Sequence, residues 1–337
     1  PVSTISSGLQ GRGSGHKRLQ LKTPRRAMRD GVLNFDKPLR QTSHDVVEQV
    51  RKLTGIRRVG HAGTLDPLAT GVLLVCVGRA ATRIAEFLMD APKPYRASGR
   101  LGITTDTFDA EGTVVAESPV GVGRDEVIRA LGEFKGTIEQ VPPMYSAVKY
   151  KGKPLYRLAR QGVEVERSSR RVEIFSLELV AWDPPEFTVE MTCSSGTYVR
   201  VLVHDLGQGL GCGAYVTSLT RLSSGSFRLR DAISLAQFRQ MSGEGRWSEL
   251  LCPIDQALAD QFPALYLDTD GAWRICSGQA IDTGNEELED GALTRVYGPD
   301  EQFLALATYD ADDGVWRPRK VFVTPYPQGR PEDEGRG

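Results

Sequence analysis

The sequence contains few residues of the kinds that hold metal ions or form disulfide bonds. Five of its 337 residues are cysteines; their number is odd, their spacing is wide, and no two stand as Cys-x-x-Cys. This usage predicts free thiols in a reducing cytoplasm. The four histidines are His16, His44, His61 and His204, too few for a His/Cys metal site. No uninterrupted apolar run approaches ~20 residues, so no membrane span is expected.

The composition is that of an ordinary globular protein, with 40% hydrophobic and 25% charged residues. The net charge of −1 conceals an uneven distribution. Residues 1–30 carry seven Lys/Arg and one Asp, whereas residues 243–337 carry eight Lys/Arg and nineteen Asp/Glu. The middle of the chain, 31–242, is therefore net positive, and it is the better candidate for contact with phosphates.

One short segment places a carboxylate in a constrained loop. Residues 60–73 read Gly-His-Ala-Gly-Thr-Leu-Asp-Pro-Leu-Ala-Thr-Gly-Val-Leu. Asp66 precedes Pro67, which pushes its backbone into an extended conformation. Gly60, Gly63 and Gly71 allow other backbone or a ligand to approach closely. The ordinary alternative is that Asp66 caps a helix or bonds its own backbone.

This segment resembles the signature of the TruB-type tRNA pseudouridine synthases, in which the Asp of the motif carries the catalysis. Five further blocks occur in the family's order across about residues 30–325. They are Gly31-Val-Leu-Asn-Phe-Asp-Lys-Pro38, Lys93-Pro-Tyr-Arg96, Leu101-Gly-Ile-Thr-Thr-Asp-Thr-Phe-Asp109, Pro143-Met-Tyr-Ser-Ala-Val-Lys149 and Cys193-Ser-Ser-Gly-Thr-Tyr-Val-Arg200.

Periodicity and the resemblance together predict an α+β protein with a mixed or antiparallel sheet. We expect a disordered basic extension at 1–29, a pseudouridine synthase catalytic domain at 30–260, a small PUA-like RNA-binding β-barrel at 261–327 and a disordered tail at 328–337. Helical spacing stands at 43–54, 124–134 and 154–161, and an apolar run at 72–77 predicts a buried strand. Met28 is a candidate natural start, and a transit peptide upstream of it is disfavoured by poor amphipathicity.

The resemblance assigns roles to four residues of the catalytic chemistry. Asp66 is the candidate nucleophile, which either attacks the C1′ atom of the ribose or stabilises positive charge there. Arg200 is expected to pair with Asp66, the alternative being a surface ion pair. Tyr198 is expected near the C2′ or C5 proton, and Tyr95 is expected to stack on the target base. The alternative for both tyrosines is that the ring packs in the hydrophobic core and the hydroxyl forms a hydrogen bond there.

Four further residues are expected to bind substrate. The resemblance places His61 towards the RNA, Leu219 beside the base and Asp109 in the polar network of the site. Arg83 stands where relatives often have Lys and is a candidate phosphate contact. We predict no metal and no cofactor, because the reaction is redox-neutral. The Gly-x-Gly-x-x-Ala pattern at 209–214 follows a predicted helix, so it is interpreted as a helix-ending turn rather than a dinucleotide site.

A basic segment at 149–171 is a candidate surface for the RNA backbone. It contains eight Lys/Arg and two Tyr against two Glu. Solvated helix charge is the ordinary explanation for such a run.

We therefore expect a cytoplasmic enzyme that converts the T-loop uridine at tRNA position 55. It is expected to bind the T-arm stem-loop as a monomer without an obligate protein partner. The alternative is an RNA-binding or tRNA-folding factor whose catalysis is secondary or absent. A pseudouridine synthase of another substrate class is a third interpretation.

Overall fold

The computed structural model describes residues 30–284, 288–324 and 326. The expected disordered segments at 1–29 and 328–337 lie outside these residues. Within them, no helix is long and apolar enough to cross a membrane.

A mixed eight-stranded sheet forms the centre of the molecule, in the order β1-β3-β12-β4-β11-β10-β7, with β2 paired to β3. Its strands are β1 Gly31–Lys37, β2 Val59–Ala62, β3 Ala69–Val77, β4 Lys93–Leu101, β7 Gly136–Gln140, β10 Arg170–Asp183, β11 Glu186–Cys193 and β12 Ala214–Arg221. The β3–β12 pair is parallel, and the other neighbours are antiparallel. The predicted α+β class with a mixed sheet is confirmed.

Short hairpins extend from this sheet. Their strands are β5 Ile103–Thr105, β6 Val114–Glu117, β8 Lys149–Tyr150, β9 Lys153–Pro154, β13 Ser223–Ser224 and β14 Phe227–Arg228.

Helices cover both faces of the sheet. They are α1 Ser43–Thr54, α2 Gly78–Arg83, α3 Ala85–Asp90, α4 Arg124–Gly132, α5 Leu155–Ala159, α6 Val199–Gly209, α7 Leu235–Gly243 and α8 Ile254–Ala257, with 3₁₀ turns at Leu229–Asp231 and Trp247–Leu250. The three predicted helices at 43–54, 124–134 and 154–161 correspond to α1, α4 and α5. The 209–214 pattern lies where α6 ends and β12 begins, as the helix-ending interpretation requires.

Local signals in the sequence explain the bounds of α1. The Thr42 hydroxyl accepts a hydrogen bond from the Asp45 N–H, and the Asp45 carboxylate accepts one from the Thr42 N–H. This capping box satisfies two N–H groups that the helix leaves without partners. Gly55 then ends the helix with a φ of 71°. On the inner face of α1, Val46, Val47 and Val50 are buried in the core below β1 and β3.

The C-terminal region has a core of its own. Four strands, β15 Ala264–Tyr266, β16 Leu293–Tyr297, β17 Phe303–Asp310 and β18 Val315–Val321, pack with α9 Thr269–Cys276. The expected closed barrel is wrong for the described residues, since β15 and β18 are the two edges of an open sheet. Between α9 and β16, the described residues contribute one isolated bridge, which joins Ile281 to Trp316.

Candidate active site

Asp66 lies in the loop between β2 and β3, and buried neighbours fix that loop. Leu65 and Leu68 are 4% and 7% exposed, and the Ser43 hydroxyl donates to the Leu65 carbonyl and accepts from its N–H. The buried ammonium of Lys37 also donates a hydrogen bond to the Pro67 carbonyl of this loop. The Asp66 side chain itself is 32% exposed. The loop therefore presents a single carboxylate on a rigid support.

Position 71 of the motif must be glycine because the backbone of β12 passes close to it. A Cβ at Gly71 would lie 2.3 Å from the carbonyl oxygen of Arg221, and its φ is +94°. Both facts exclude a larger residue. Because β3 and β12 pair here in parallel, Gly71 brings the motif beside Leu219 and Arg221.

Arg200 holds Asp66 in place. Its Nε donates to Asp66 Oδ2 at 2.8 Å, its Nη1 to the Thr107 carbonyl at 2.8 Å and its Nη2 to the Tyr145 carbonyl at 2.9 Å. Nη1 also lies 3.3 Å from Asp109 Oδ2. Arg200 and Asp66, which the sequence predicted to pair, are thus in contact, and Arg200 is 3% exposed.

Asp109 belongs to the same network of hydrogen bonds and charges. It is 5% exposed, and its Oδ1 accepts from the Thr107 hydroxyl at 2.6 Å and from the Glu111 N–H at 3.0 Å. Arg200 thus sits between two carboxylates, one buried and one facing the solvent side.

Tyr198 stands immediately before α6 and is held by its backbone. Its N–H donates to Gln140 Oε1 at 3.0 Å, and its carbonyl accepts from Gln140 Nε2 at 3.2 Å. Burial raises the pKa of the Tyr198 hydroxyl, so this group keeps its proton at neutral pH. Tyr198 and Arg200 are therefore placed together by the start of one helix.

Two neighbouring strands supply the floor of the site. On β4, Lys93 and Tyr95 point to the same face, and on β12 so do Leu219 and Arg221. Tyr95 lies directly opposite Arg221, whose Nη1 is 3.5 Å from the Tyr95 hydroxyl. Arg221 also donates to the carbonyls of Val72 at 2.6 Å and Gly63 at 3.2 Å. Arg221 is 1% exposed and fixes the motif loop to the floor.

These groups enclose one cleft of about 350 Å³. This volume is in the range of sites for small organic ligands. Four of the residues that the resemblance singled out line it, namely Asp66, Tyr95, Tyr198 and Leu219. The remaining lining residues are Gly63, Thr64, Leu65, Met89, Lys93, Ala147, Val148, Ser195, Gly196, Thr197, Val199 and Arg221.

Two of the sequence-predicted residues lie apart from this cleft. The His61 ring is partly buried on β2, its Nδ1 has no hydrogen-bond partner among the described residues, and burial lowers its pKa. Arg83 at the end of α2 donates to the Val321 carbonyl at 2.6 Å, and its guanidinium lies 5.0 Å from the centre of the Phe322 ring. Arg83 therefore joins α2 to the C-terminal region in this structure.

Sequence reasoning missed Lys93 and Arg221 as site residues. The signal that could have found them is the two-residue period of a strand, because each lies two positions from a predicted residue, Tyr95 or Leu219. Burial lowers the pKa of Lys93 from 10.5 to about 8.

The basic segment at 149–171 begins beside the cleft, directly after Ala147 and Val148. Seven of its eight cations are exposed, and Arg167 is partly buried, where it donates to the Pro142 carbonyl. Leu155 anchors the segment and is 2% exposed. The segment places a positive surface next to the mouth of the cleft.

Three family profiles match the chain in succession. They describe the TruB family pseudouridylate synthase N-terminal domain at 51–199, the tRNA pseudouridylate synthase B C-terminal domain at 200–259 and the pseudouridine synthase II TruB C-terminal region at 263–322. Among the described residues, no group of three or more His, Cys, Asp or Glu is placed to hold a metal ion.

Proteins named tRNA pseudouridine synthase B are similar over most of the chain. The one from Syntrophotalea carbinolica is 48% identical and aligns with 83% of this chain and 92% of its own length. The one from Pseudomonas aeruginosa is 44% identical, with 90% of this chain and 99% of its own length covered.

Among solved structures, a Cbf5–Nop10–Gar1 complex contains a chain of similar fold. The TM-score is 0.68 at 25% identity, covering 88% of this chain and 85% of that one. The arrangement of Asp66, Tyr95, Tyr198 and Arg200, the three successive profile matches and these relatives lead to one conclusion: the chain belongs to the TruB family of pseudouridylate synthases.

Proposed function

We propose that this protein is a tRNA pseudouridine synthase that converts the T-loop uridine at tRNA position 55. The observation that carries the proposal is the Asp66–Arg200 pair at a cleft of nucleoside size whose floor includes Tyr95 and Leu219. The names of the relatives support tRNA as the substrate. We further propose that the protein acts as a monomer in the cytoplasm.

The reaction breaks the N1–C1′ bond of uridine and forms a C5–C1′ bond, so the base must turn within the cleft. In our account the Asp66 carboxylate acts at C1′, either by attack or by stabilising positive charge there. Arg200 holds that carboxylate in position through the 2.8 Å hydrogen bond from its Nε. The protonated Tyr198 hydroxyl is positioned to take part in moving the C2′ or C5 proton.

The substrate must be flipped into the cleft, since the target base is buried in folded tRNA. A flipped base loses its neighbours and recovers part of the stacking free energy on an aromatic ring. Tyr95 supplies that ring in our account, with Leu219 on the same floor. The basic segment at 149–171 lies where it could contact the phosphates of a stem-loop, and Tyr150 within it is 38% exposed. His61 is a candidate for contact with RNA outside the cleft, whereas the contacts of Arg83 with Val321 and Phe322 favour a structural role for that residue over phosphate binding.

Conversion of a defined RNA tests this function. An unmodified T-arm stem-loop carrying tritium at C5 of the target uridine is incubated with the protein and no added cofactor. We expect release of tritium, because C5 loses its hydrogen when it bonds C1′. A stem-loop with cytidine at the target position and label at another uridine serves as control. Binding of the stem-loop without release would favour the RNA-folding function, for which the exposed basic segment is the supporting observation.

A further inference from the structure

Lys93 is a buried cation whose hydrogen bonds go only to neutral groups. The residue is 5% exposed, and its Nζ donates to the carbonyls of Met89 and of Ala91, the latter at 2.8 Å. Within the part of the chain that the structure describes, no ion pair joins Lys93 or Arg221 to a carboxylate. An ammonium group has three N–H donors, so these two carbonyls leave one donor for another acceptor.

The cleft is where that donor can find a partner. Lys93 lines the cleft. A Cβ added to Gly63, which also lines the cleft, would lie 3.7 Å from the Lys93 Cε. It stands two residues before Tyr95 on the same face of β4. The neighbouring Arg221 guanidinium adds a second positive charge to the floor. Asp90 is near enough to act on Lys93 electrostatically but forms no ion pair with it. A buried charge without an ion-pair partner is costly, which argues that the site keeps these cations for a ligand of complementary charge.

The reaction itself produces such a ligand. When the N1–C1′ bond breaks, its electron pair leaves with the base, so the detached uracil carries a negative charge shared by N1, O2 and O4. The C1′ centre is left electron-deficient and is met by the Asp66 carboxylate. When C5 then bonds C1′, the Asp66 carboxylate is released from C1′, the C5 proton passes to solvent and N1 takes up a proton. One proton is lost and one is gained, so the sum is an isomerisation without any oxidant or reductant.

We propose that Lys93 is a further catalytic residue, whose ammonium binds a carbonyl oxygen of the target uracil and stabilises the negative charge on that base during bond cleavage. This inference rests on the proposed function. A fixed donor aimed at developing charge in a site shielded from water is a strong source of rate enhancement. The competing role for Lys93 is structural, namely to tie the end of α3 to β4 through the Met89 and Ala91 carbonyls.

A leaving-group experiment separates the two roles. Lys93→Met removes the charge and replaces the side chain by an unbranched apolar one that is a single heavy atom shorter, whereas Lys93→Gln keeps neutral N–H donors. Lys52→Met, on the exposed side of α1, is the matched control. Cleavage is measured in a single turnover with two stem-loops, one with uridine and one with 5-fluorouridine at the target. Fluorine withdraws electrons, so the fluorinated base departs more easily and depends less on an external cation.

For Lys93→Met we expect a fall in the uridine rate of about 10²-fold, the size seen when one such donor is removed. For the same variant, the fall in rate should be several-fold smaller with 5-fluorouridine. On the uridine RNA, Lys93→Gln should lose less rate than Lys93→Met. The dissociation constant for the RNA should change little in either variant. Equal rate losses on the two substrates would overturn the proposal, as would parental rates in Lys93→Met. If Lys93→Met fails to unfold cooperatively, the same comparison is made with Lys93→Gln.

The same experiment distinguishes failure of the Lys93 proposal from failure of the proposed pseudouridine synthase function. A parent protein that cleaves the N1–C1′ bond in neither RNA would contradict the proposed function. A parent that cleaves the N1–C1′ bond in both RNAs and forms pseudouridine from the uridine one, with variant losses that do not depend on fluorine, would leave the function standing and assign Lys93 to structure alone.

Discussion

Replacing Arg200 by methionine should remove the centre of a buried network. The guanidinium bonds Asp66, the carbonyls of Thr107 and Tyr145, and the carboxylate of Asp109, which is itself 7% exposed at its side chain. Methionine fills much of the volume but satisfies none of these oxygens. Removal of one partner from a buried ion pair costs about 3–5 kcal/mol, because the other charge is left without compensation.

A loss of this size is a large share of the ~5–15 kcal/mol that stabilises a typical protein. We therefore expect Arg200→Met to fold, with a free energy of unfolding about 3–5 kcal/mol below the parent in urea titrations. Its rate of uridine conversion should fall by about 10²-fold or more, since Asp66 loses the group that orients it.

Asp109→Asn supplies the matched comparison through a double-mutant cycle. If the cost in Arg200→Met arises from the stranded Asp109 carboxylate, the double variant Arg200→Met/Asp109→Asn should be more stable than Arg200→Met alone. The reasoning would be refuted by an Arg200→Met protein within about 1 kcal/mol of the parent. It would also be refuted by a double variant no more stable than the single one.

Three further predictions follow from other parts of the structure. Gly71→Ala should lower the free energy of unfolding, measured in a urea titration, by at least about 1–3 kcal/mol, because the added Cβ would meet the backbone of β12. The control is Gly132→Ala, whose Cβ would meet no atom within 4 Å and which should not lower that free energy. Burial lowers the pKa of Lys37 to about 8 from 10.5, so the folded protein binds fewer protons than the unfolded chain between these values. The stability of the parent relative to Lys37→Met should therefore rise from pH 8 to 10.5, and a pH-independent difference would contradict the burial argument. Arg83→Met removes the contacts with the Val321 carbonyl and the Phe322 ring. We expect this variant to unfold at a lower temperature than the parent and to convert the stem-loop at a rate within about twofold of the parent rate. A large loss of RNA affinity would instead show that Arg83 contacts a phosphate.

Much of the site could be predicted because its signals are local. Asp66 and Gly71 stand in one short motif, and Tyr198 and Arg200 stand two residues apart where a helix begins. The capping signals that bound α1 are equally local, with Thr42 and Asp45 at one end and Gly55 at the other.

The remainder depends on contacts between distant segments. Arg221 and Tyr95 meet only because β12 pairs with β4, a register that no single strand pattern specifies. The acceptors that complete the Arg200 network are the backbone carbonyls of Thr107 and Tyr145, which carry no side-chain signature. The open C-terminal sheet was also beyond the sequence pattern, because turn-rich segments predict strands but not whether the outer two strands meet.

Asp66→Asn tests the central claim most directly. The substitution keeps the shape of the side chain and removes its charge, and Asp125→Asn on the exposed face of α4 is the control. Both proteins are compared with the parent for binding and for conversion of an unmodified T-arm stem-loop. The account predicts that Asp66→Asn binds the RNA with nearly the parental dissociation constant and forms no pseudouridine, while Asp125→Asn matches the parent in both. Turnover by Asp66→Asn would contradict the assignment of the reacting carboxylate.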